Sequence, residues 1–151
     1  MFEGMEEIIQ EKISADHLLY VSLKYTKTCD VIVNLLLRWR LMIEISINAL
    51  LSKAKQNKKL SKIPENSVKK IGELKKIYKR DKEITNVIEF YEMLRKLETL
   101  KKEESGEFRK NVNLKIFYKG KEINVNLDKL KEYTELLEKF IGKVKYHLLP
   151  K

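Results

Sequence analysis

The chain has 151 residues and little of what marks the specialised protein classes. It holds one cysteine, two prolines, five glycines, two histidines and two glutamines. A lone cysteine, Cys29, excludes an intrachain disulfide framework, so a reducing, cytoplasmic setting is expected. Lying between apolar stretches, it reads as a small hydrophobe of the core. The glycines stand singly at 4, 72, 106, 120 and 142, which leaves no glycine-rich loop to cradle a phosphate. His17 and His147 have no carboxylate or thiol at i+3 or i+4. They read as a helix-face histidine and a frayed C-terminal one, so no metal site and no cofactor are expected. There is no Gly-x-Ser-x-Gly elbow, and Cys29 has no histidine near it in sequence. Carboxylate pairs such as Glu103-Glu104 sit where solvated charge explains them. Catalytic residues are therefore not expected.

An uncharged apolar run is missing too. The most apolar stretch, Val31 to Leu51, contains Arg38, Arg40, Glu44 and Asn48, and ionisable groups near its middle are costly in lipid. No membrane contact is expected. The opening residues Met1-Phe2-Glu3-Gly4-Met5-Glu6-Glu7 are acidic where a signal peptide is basic, so no targeting segment is expected either.

What is present is apolar residue and lysine. Hydrophobic residues at 43% exclude wholesale disorder, and the length fits one domain over 1–151. A chain of this size buries ~70% of its unfolded surface without a metal or disulfide staple. Of the 32 basic residues 27 are Lys, and Lys/Glu/Ile enrichment with few Gln resembles a thermophile composition.

Periodicity predicts a mainly α fold: about five helices in a bundle, with one β-hairpin between the last two. The first helix covers about Glu6 to Lys27, with Ile9, Ile13, His17, Tyr20 and Lys24 on one line. Leu18 or Leu19, Val21, Leu23 and Tyr25 thicken its apolar face. Thr28 or Asp30 stops it and caps the next. The second helix, about Val31 to Lys55, is apolar on most sides. Its polar residues form a narrow stripe of Asn34, Arg38, Glu44, Asn48 and Ser52, and Arg40 and Glu44 have i,i+4 spacing. A helix that is apolar nearly all round needs cover on nearly all sides, and a homodimer interface is the simplest source. A third helix covers about Val68 to Arg80, capped by Asn66 or Ser67, with Val68, Ile71, Leu74, Ile77 and Tyr78 inward. A fourth covers about Glu83 to Glu104, with Ile84, Val87, Tyr91, Leu94 and Leu97 as its stripe. The period then changes to two. Val112, Leu114, Ile116 and Tyr118, a turn at Lys119-Gly120-Lys121, then Ile123, Val125 and Leu127 read as a hairpin over about 112–127. A last helix, capped by Asn126, runs about Leu127 to Tyr146 on Leu130, Tyr133, Leu137, Phe140, Ile141 and Val144.

The charge is confined to one part of the chain. Residues 53–82 hold twelve basic and three acidic side chains, a net +9, whereas the remainder holds 20 basic and 19 acidic, a net +1. Lys58, Lys59, Lys69, Lys76, Lys79 and Arg80 are the candidate nucleic-acid-binding residues. Clustered lysines neutralise phosphates in a salt-dependent, sequence-indifferent manner. With a single arginine the segment has little for bidentate base contacts, and only Tyr78 for stacking. Asn34, Arg38, Glu44 and Asn48 are the candidates for an interface with a partner.

Two stretches carry a family resemblance: Ser14-Ala15-Asp16-His17-Leu18-Leu19 with Ser22 and Tyr25, and Arg38-Trp39-Arg40-Leu41-Met42-Ile43-Glu44-Ile45-Ser46-Ile47-Asn48-Ala49-Leu50-Leu51. Together, within residues 13–51, they resemble the HEPN family of small helical bundles. The resemblance implies an up-and-down bundle that dimerises, often with a nucleotidyltransferase or nucleic-acid connection. Catalytic members of that family share an Arg, often followed by a polar residue, and then a His several residues on, as a ribonuclease site. This sequence departs there: Arg109 is followed by Lys110 and Asn111 with no His before His147, and Arg95 also lacks one.

The leading expectation is a non-catalytic, dimerising helical module, with a homodimer and a protein partner in view. The alternative is a nucleic-acid-binding protein using residues 53–82. A HEPN-like ribonuclease is the third.

Overall fold

The structure is a computed structural model that describes residues 4–149; the acidic opening from Met1 begins outside them. Among the described residues there are five helices and one small antiparallel sheet. Helix α1 spans Met5–His17 and continues through a π-helical segment, Leu18–Ser22, into a last turn, Leu23–Tyr25. Helix α2 spans Cys29–Gln56, α3 Ser67–Ile77 and α4 Lys82–Arg95. Strands β1 (Lys102–Ser105), β2 (Asn113–Tyr118) and β3 (Lys121–Val125) precede α5, Leu127–Leu148.

Local chemistry sets these boundaries. The Thr28 hydroxyl accepts from the Val31 amide, and the Asn66 and Asn126 side chains accept from Lys69 and Lys129, so three helices begin on side-chain caps. The expected third helix stops early, at Ile77. Tyr78 leaves helical geometry and anchors its hydroxyl on the Leu50 carbonyl, so Arg80 lies beyond the helix rather than stacked above Lys69 and Lys76. The fourth stops nine residues short of the expected Glu104, because the Lys102 ammonium donates to the Leu97 and Leu100 carbonyls and residues 102–105 turn into a strand. That strand makes the hairpin a three-stranded sheet of order β1-β2-β3. Lys102 pairs with Ile116, and Leu114 with Val125. Lys119 and Gly120 both take positive φ, the two-residue turn that matches strand twist. Alternation puts Leu114, Ile116, Tyr118 and Val125 on the buried face, which packs on α2 and α5.

Helix α2 is the hub: it packs against α1, α3, α4, α5 and β2. Twelve of its residues are buried, from Cys29 and Ile32 to Leu51 and Ala54, so the chain itself supplies most of the cover that this helix needs. Trp39 is edge-on to Phe90 of α4 and to Tyr133 of α5, both at 6.2 Å, and those two rings stack at 4.1 Å. Such pairs each add ~0.5–1.5 kcal/mol beyond their burial. In α1 the buried residues are Met5, Ile8 and Ala15. The expected apolar line is instead the outward side, with Ile9 at 46%, Ile13 at 56% and Tyr20 at 57% exposure. The sequence offers apolar residues on two sides of this helix, and the side with small Ala15 is the one that approaches α2.

Two predictions test this packing. Burial pushes the phenols of Tyr78, Tyr91 and Tyr133 up to about 12. In the unfolded chain they ionise near about 10. Between those values the folded state holds more protons, so these groups lower stability as pH rises from about 10 to 12. Urea unfolding across that range is expected to show a smaller loss in Tyr133→Phe than in the parent; equal slopes would exclude the contribution. Gly106 has φ +68, and a Cβ there would lie 2.5 Å from the Asn111 carbonyl oxygen. Gly106→Ala is expected to cost at least about 2 kcal/mol in chemical denaturation, whereas Gly142→Ala, inside α5 where a Cβ would meet nothing, is expected to stabilise by about 0.5–1 kcal/mol.

Candidate nucleic-acid interface

The basic segment divides into cations that the chain neutralises and cations that it does not. Lys75 is neutralised by Glu92 at 3.4 Å and Lys76 by Glu73 at 3.7 Å, while Lys70 keeps its charge and donates to the neutral Asn48 side chain at 2.9 Å. Lys69 stands exposed on α3. Lys59, Lys79 and Arg80 make no ion pair among the described residues, and they share one concavity of about 380 Å³.

Three chain segments build that concavity. The first is the end of α2. Lys58 takes φ 61 there, and the Lys59 amide reaches back to the Ala54 carbonyl at 2.9 Å. This left-handed close of the helix, usually made by glycine, sets the exit of the loop and presents Lys59. The second is the turn between α3 and α4, closed by the Asp81 amide on the Tyr78 carbonyl at 2.9 Å. Tyr78 fixes the turn on both sides, through its hydroxyl to α2 and through an edge contact at 4.8 Å to the His147 ring. The third is the last turns of α5, which bring Lys143 and His147. Lys143 lies outside the basic segment, so folding adds a cation that clustering along the chain does not explain.

On this cationic rim sits a carboxylate–imidazole pair. Asp81 Oδ2 lies 2.8 Å from His147 Nε2, with 12% and 23% of the two side chains exposed. Asp81 occupies the N-cap of α4, but its side chain makes no cap bond there. The carboxylate turns to His147 instead, and its Oδ1 is buried with no hydrogen-bond partner among the described residues. His147 is thus an ordered residue of α5 and not a frayed one. Its partner is 66 residues away, beyond any spacing rule along one helix.

The stripe of α2 is spent mostly inside the chain. Arg38 pairs with Glu11 of α1 at 3.0 Å. Arg40 reaches Glu98 at 2.6 Å and the Leu94 carbonyl, and not Glu44 one turn on. Glu44 accepts from the Tyr91 hydroxyl at 3.0 Å, and with Asn48 it lines a second, smaller concavity of about 160 Å³ shared with Ser67 and Lys70. Asn34 is exposed on α2. The fold therefore brings together Lys59, Lys79 and Arg80 of the expected binding residues, and Glu44 with Asn48 of the expected interface; Lys58, Lys69 and Lys76 stand outside the larger concavity.

One group of possible metal ligands forms where the sequence showed none. Cys29 Sγ and the carboxylates of Glu104 and Glu107 lie within 4.8 Å of one another. The arrangement is explained by the start of α2: Glu107 accepts from the Cys29 amide at 3.0 Å, a favourable place for negative charge. Burial, helped by Glu107, pushes the Cys29 thiol up to about 12, so it stays protonated and is a poor ligand and nucleophile at neutral pH. The chain matches no protein-family model, no curated protein and no solved structure.

The thiol gives a direct test. Ellman's reagent at about pH 8 is expected to leave Cys29 unmodified in the folded protein and to titrate it fully in denaturant. Rapid reaction without denaturant would contradict both its burial and its raised pKa.

Proposed function

We propose that this protein binds nucleic acid through phosphate contacts made by residues 53–82 and centred on the concavity between the α2–α3 loop, the α3–α4 turn and the end of α5. The observation that carries the reading is the convergence of Lys59, Lys79, Arg80 and Lys143 on one concavity, with no ion-pair partner for any of them among the described residues. Helix C-terminal ends account for these lysines one at a time; set around one concavity and left without ion pairs among the described residues, they repel one another unless an anion offsets them. The near absence of arginine on this surface favours backbone contact over base readout.

The test is salt dependence. Each phosphate contact contributes about 0.7–0.9 to the slope of log affinity against log salt. Reversing Lys59, Lys79 and Arg80 to Glu is expected to abolish binding of single-stranded or duplex oligonucleotides at about 50 mM salt. Single neutralisations should each lower the slope by about one. The pair Lys75→Gln and Lys76→Gln, whose parent side chains are already paired, should change it less. Absence of binding by the parent protein at low salt overturns the reading.

A second reading, the dimerising interaction module, rests on a separate observation: the outward apolar residues Ile9, Ile13 and Tyr20 of the first helix, which the described residues leave about half exposed. It accords with the dimeric bundle that the HEPN resemblance of residues 13–51 implies. Light scattering discriminates, since a monomer at micromolar concentration removes it. The two readings use different faces and are compatible.

A further inference from the structure

Asp81 and His147 have no part in binding a running phosphate backbone, and a carboxylate among cations weakens such binding. We infer that the concavity takes a phosphate monoester, at the end of a nucleic-acid strand or on a free mononucleotide, with His147 meeting it as an imidazolium held by Asp81. The inference rests on the nucleic-acid reading above and names what the centre of that surface recognises.

Shape is the first argument. A backbone that runs across a protein needs cations spaced along a groove. Here they come from three separated segments and surround one concavity of about 380 Å³, at the small end of ligand pockets and suited to a single nucleotide. Charge is the second. Four cations, Lys59, Lys79, Arg80 and Lys143, face two carboxylates, Asp81 and Glu83, for a local +2 that becomes +3 with His147 as the imidazolium. An internal phosphodiester brings one negative charge, whereas a terminal monoester brings about −1.5 to −2 near pH 7. The monoester is the better match.

The Asp81–His147 pair is the third. With a carboxylate 2.8 Å away, His147 Nε2 is committed as a donor to Asp81. The ring then has one nitrogen left for a ligand. In the neutral tautomer that nitrogen is an acceptor and repels a phosphate oxygen; only the imidazolium donates from both. Around the ring stand Asp81 from the turn, Glu83 from α4, Lys79 and Arg80 from the turn, Lys59 from the loop and Lys143 on its own helix, with the Tyr78 and Tyr146 ring edges at 4.8 and 5.3 Å. A bound dianion adds negative charge beside the ring and favours a donor at its free nitrogen, so phosphate binding is coupled to proton uptake. Asp81 acts as a positioning residue: it gives up the cap of α4, where an Asp side chain would ordinarily bond, to hold His147 over the concavity.

The experiment compares one short single-stranded oligonucleotide with a 5′-phosphate, a 3′-phosphate or neither, together with adenosine monophosphate, by calorimetry between about pH 6.5 and 8. A phosphorylated end is expected to bind about tenfold tighter than the same strand without it, the worth of one charge-assisted hydrogen bond. Above about pH 7, where the monoester is already mostly dianionic and releases few protons of its own, proton uptake should be visible as a buffer-dependent heat, and the advantage should shrink as pH rises further. His147→Gln should remove both the end preference and the proton uptake. If that variant fails to fold, Lys143→Gln keeps the inference testable: it should reduce the end preference yet leave the proton uptake in place, and loss of both together would count against His147. Equal affinity for phosphorylated and unphosphorylated strands, or an end preference without pH dependence, overturns the inference and leaves the nucleic-acid reading standing. Binding of the mononucleotide alone upholds the site and overturns the nucleic-acid reading. No binding of any of the four overturns both.

Discussion

The structure depends on one constraint: a 28-residue helix whose inner half-cylinder is apolar from end to end must be enclosed. Every other element is positioned by that need. Helix α1 covers one flank with Ile8 and Ala15, α4 and α5 close another through the Trp39–Phe90–Tyr133 aromatic contacts, and the buried face of the sheet closes the start of the helix beside Cys29. Polar side chains of α2 that border the enclosed half are then bonded to the covering elements, as Arg38 to Glu11 and Glu44 to Tyr91. Those bonds fix the angular position of α2 as much as they stabilise it.

The same enclosure explains where the concavity lies. Helix α2 ends at Gln56, α3 ends at Ile77 and α5 ends at Leu148. These are three C-terminal ends, each with exposed carbonyls and a partial negative charge that attracts cations. Lysines concentrated at 53–59, 75–80 and 143–145 are therefore at home in helix ends before any ligand is considered. Their convergence follows from the topology, because the loop and the turn that leave two of the helices pass over the end of the third. Tyr78 ties these parts together by touching α2 and α5 at once.

Much of this was legible in the residues. The change of period at Val112 announced the hairpin, Asn126 announced one helix start, and the pairs Thr28 or Asp30 and Asn66 or Ser67 bracketed two more that the structure settles on Thr28 and Asn66, because capping and alternation are local chemistry. The stripe Ile84, Val87, Tyr91, Leu94 and Leu97 is buried as its spacing implies. What was not legible depended on choices between equal alternatives. Helix α1 carries apolar residues on two sides, and only contact with α2 selects Ile8 over Ile9. Strand β1 is short and charged, Lys-Glu-Glu-Ser, so it has no alternation to read and exists by pairing with β2. Within the candidate site, the basic segment was visible as a composition bias. The partnership of Asp81 with His147, the contribution of Lys143 and the approach of Glu104 and Glu107 to Cys29 join residues far apart in the chain. The one local signal was an Asp at a helix start.

The sheet has a consequence for how copies of this chain can meet. With order β1-β2-β3, both outer strands leave a row of backbone amides and carbonyls unpaired, and such edges template the addition of foreign strands. Here one edge exposes Glu103 and Glu104 and the other Lys121 and Glu122. Adding a second copy edge to edge would bury or juxtapose these charges without apolar gain. Charge at both edges of the three-stranded unit therefore disfavours its growth into an extended sheet.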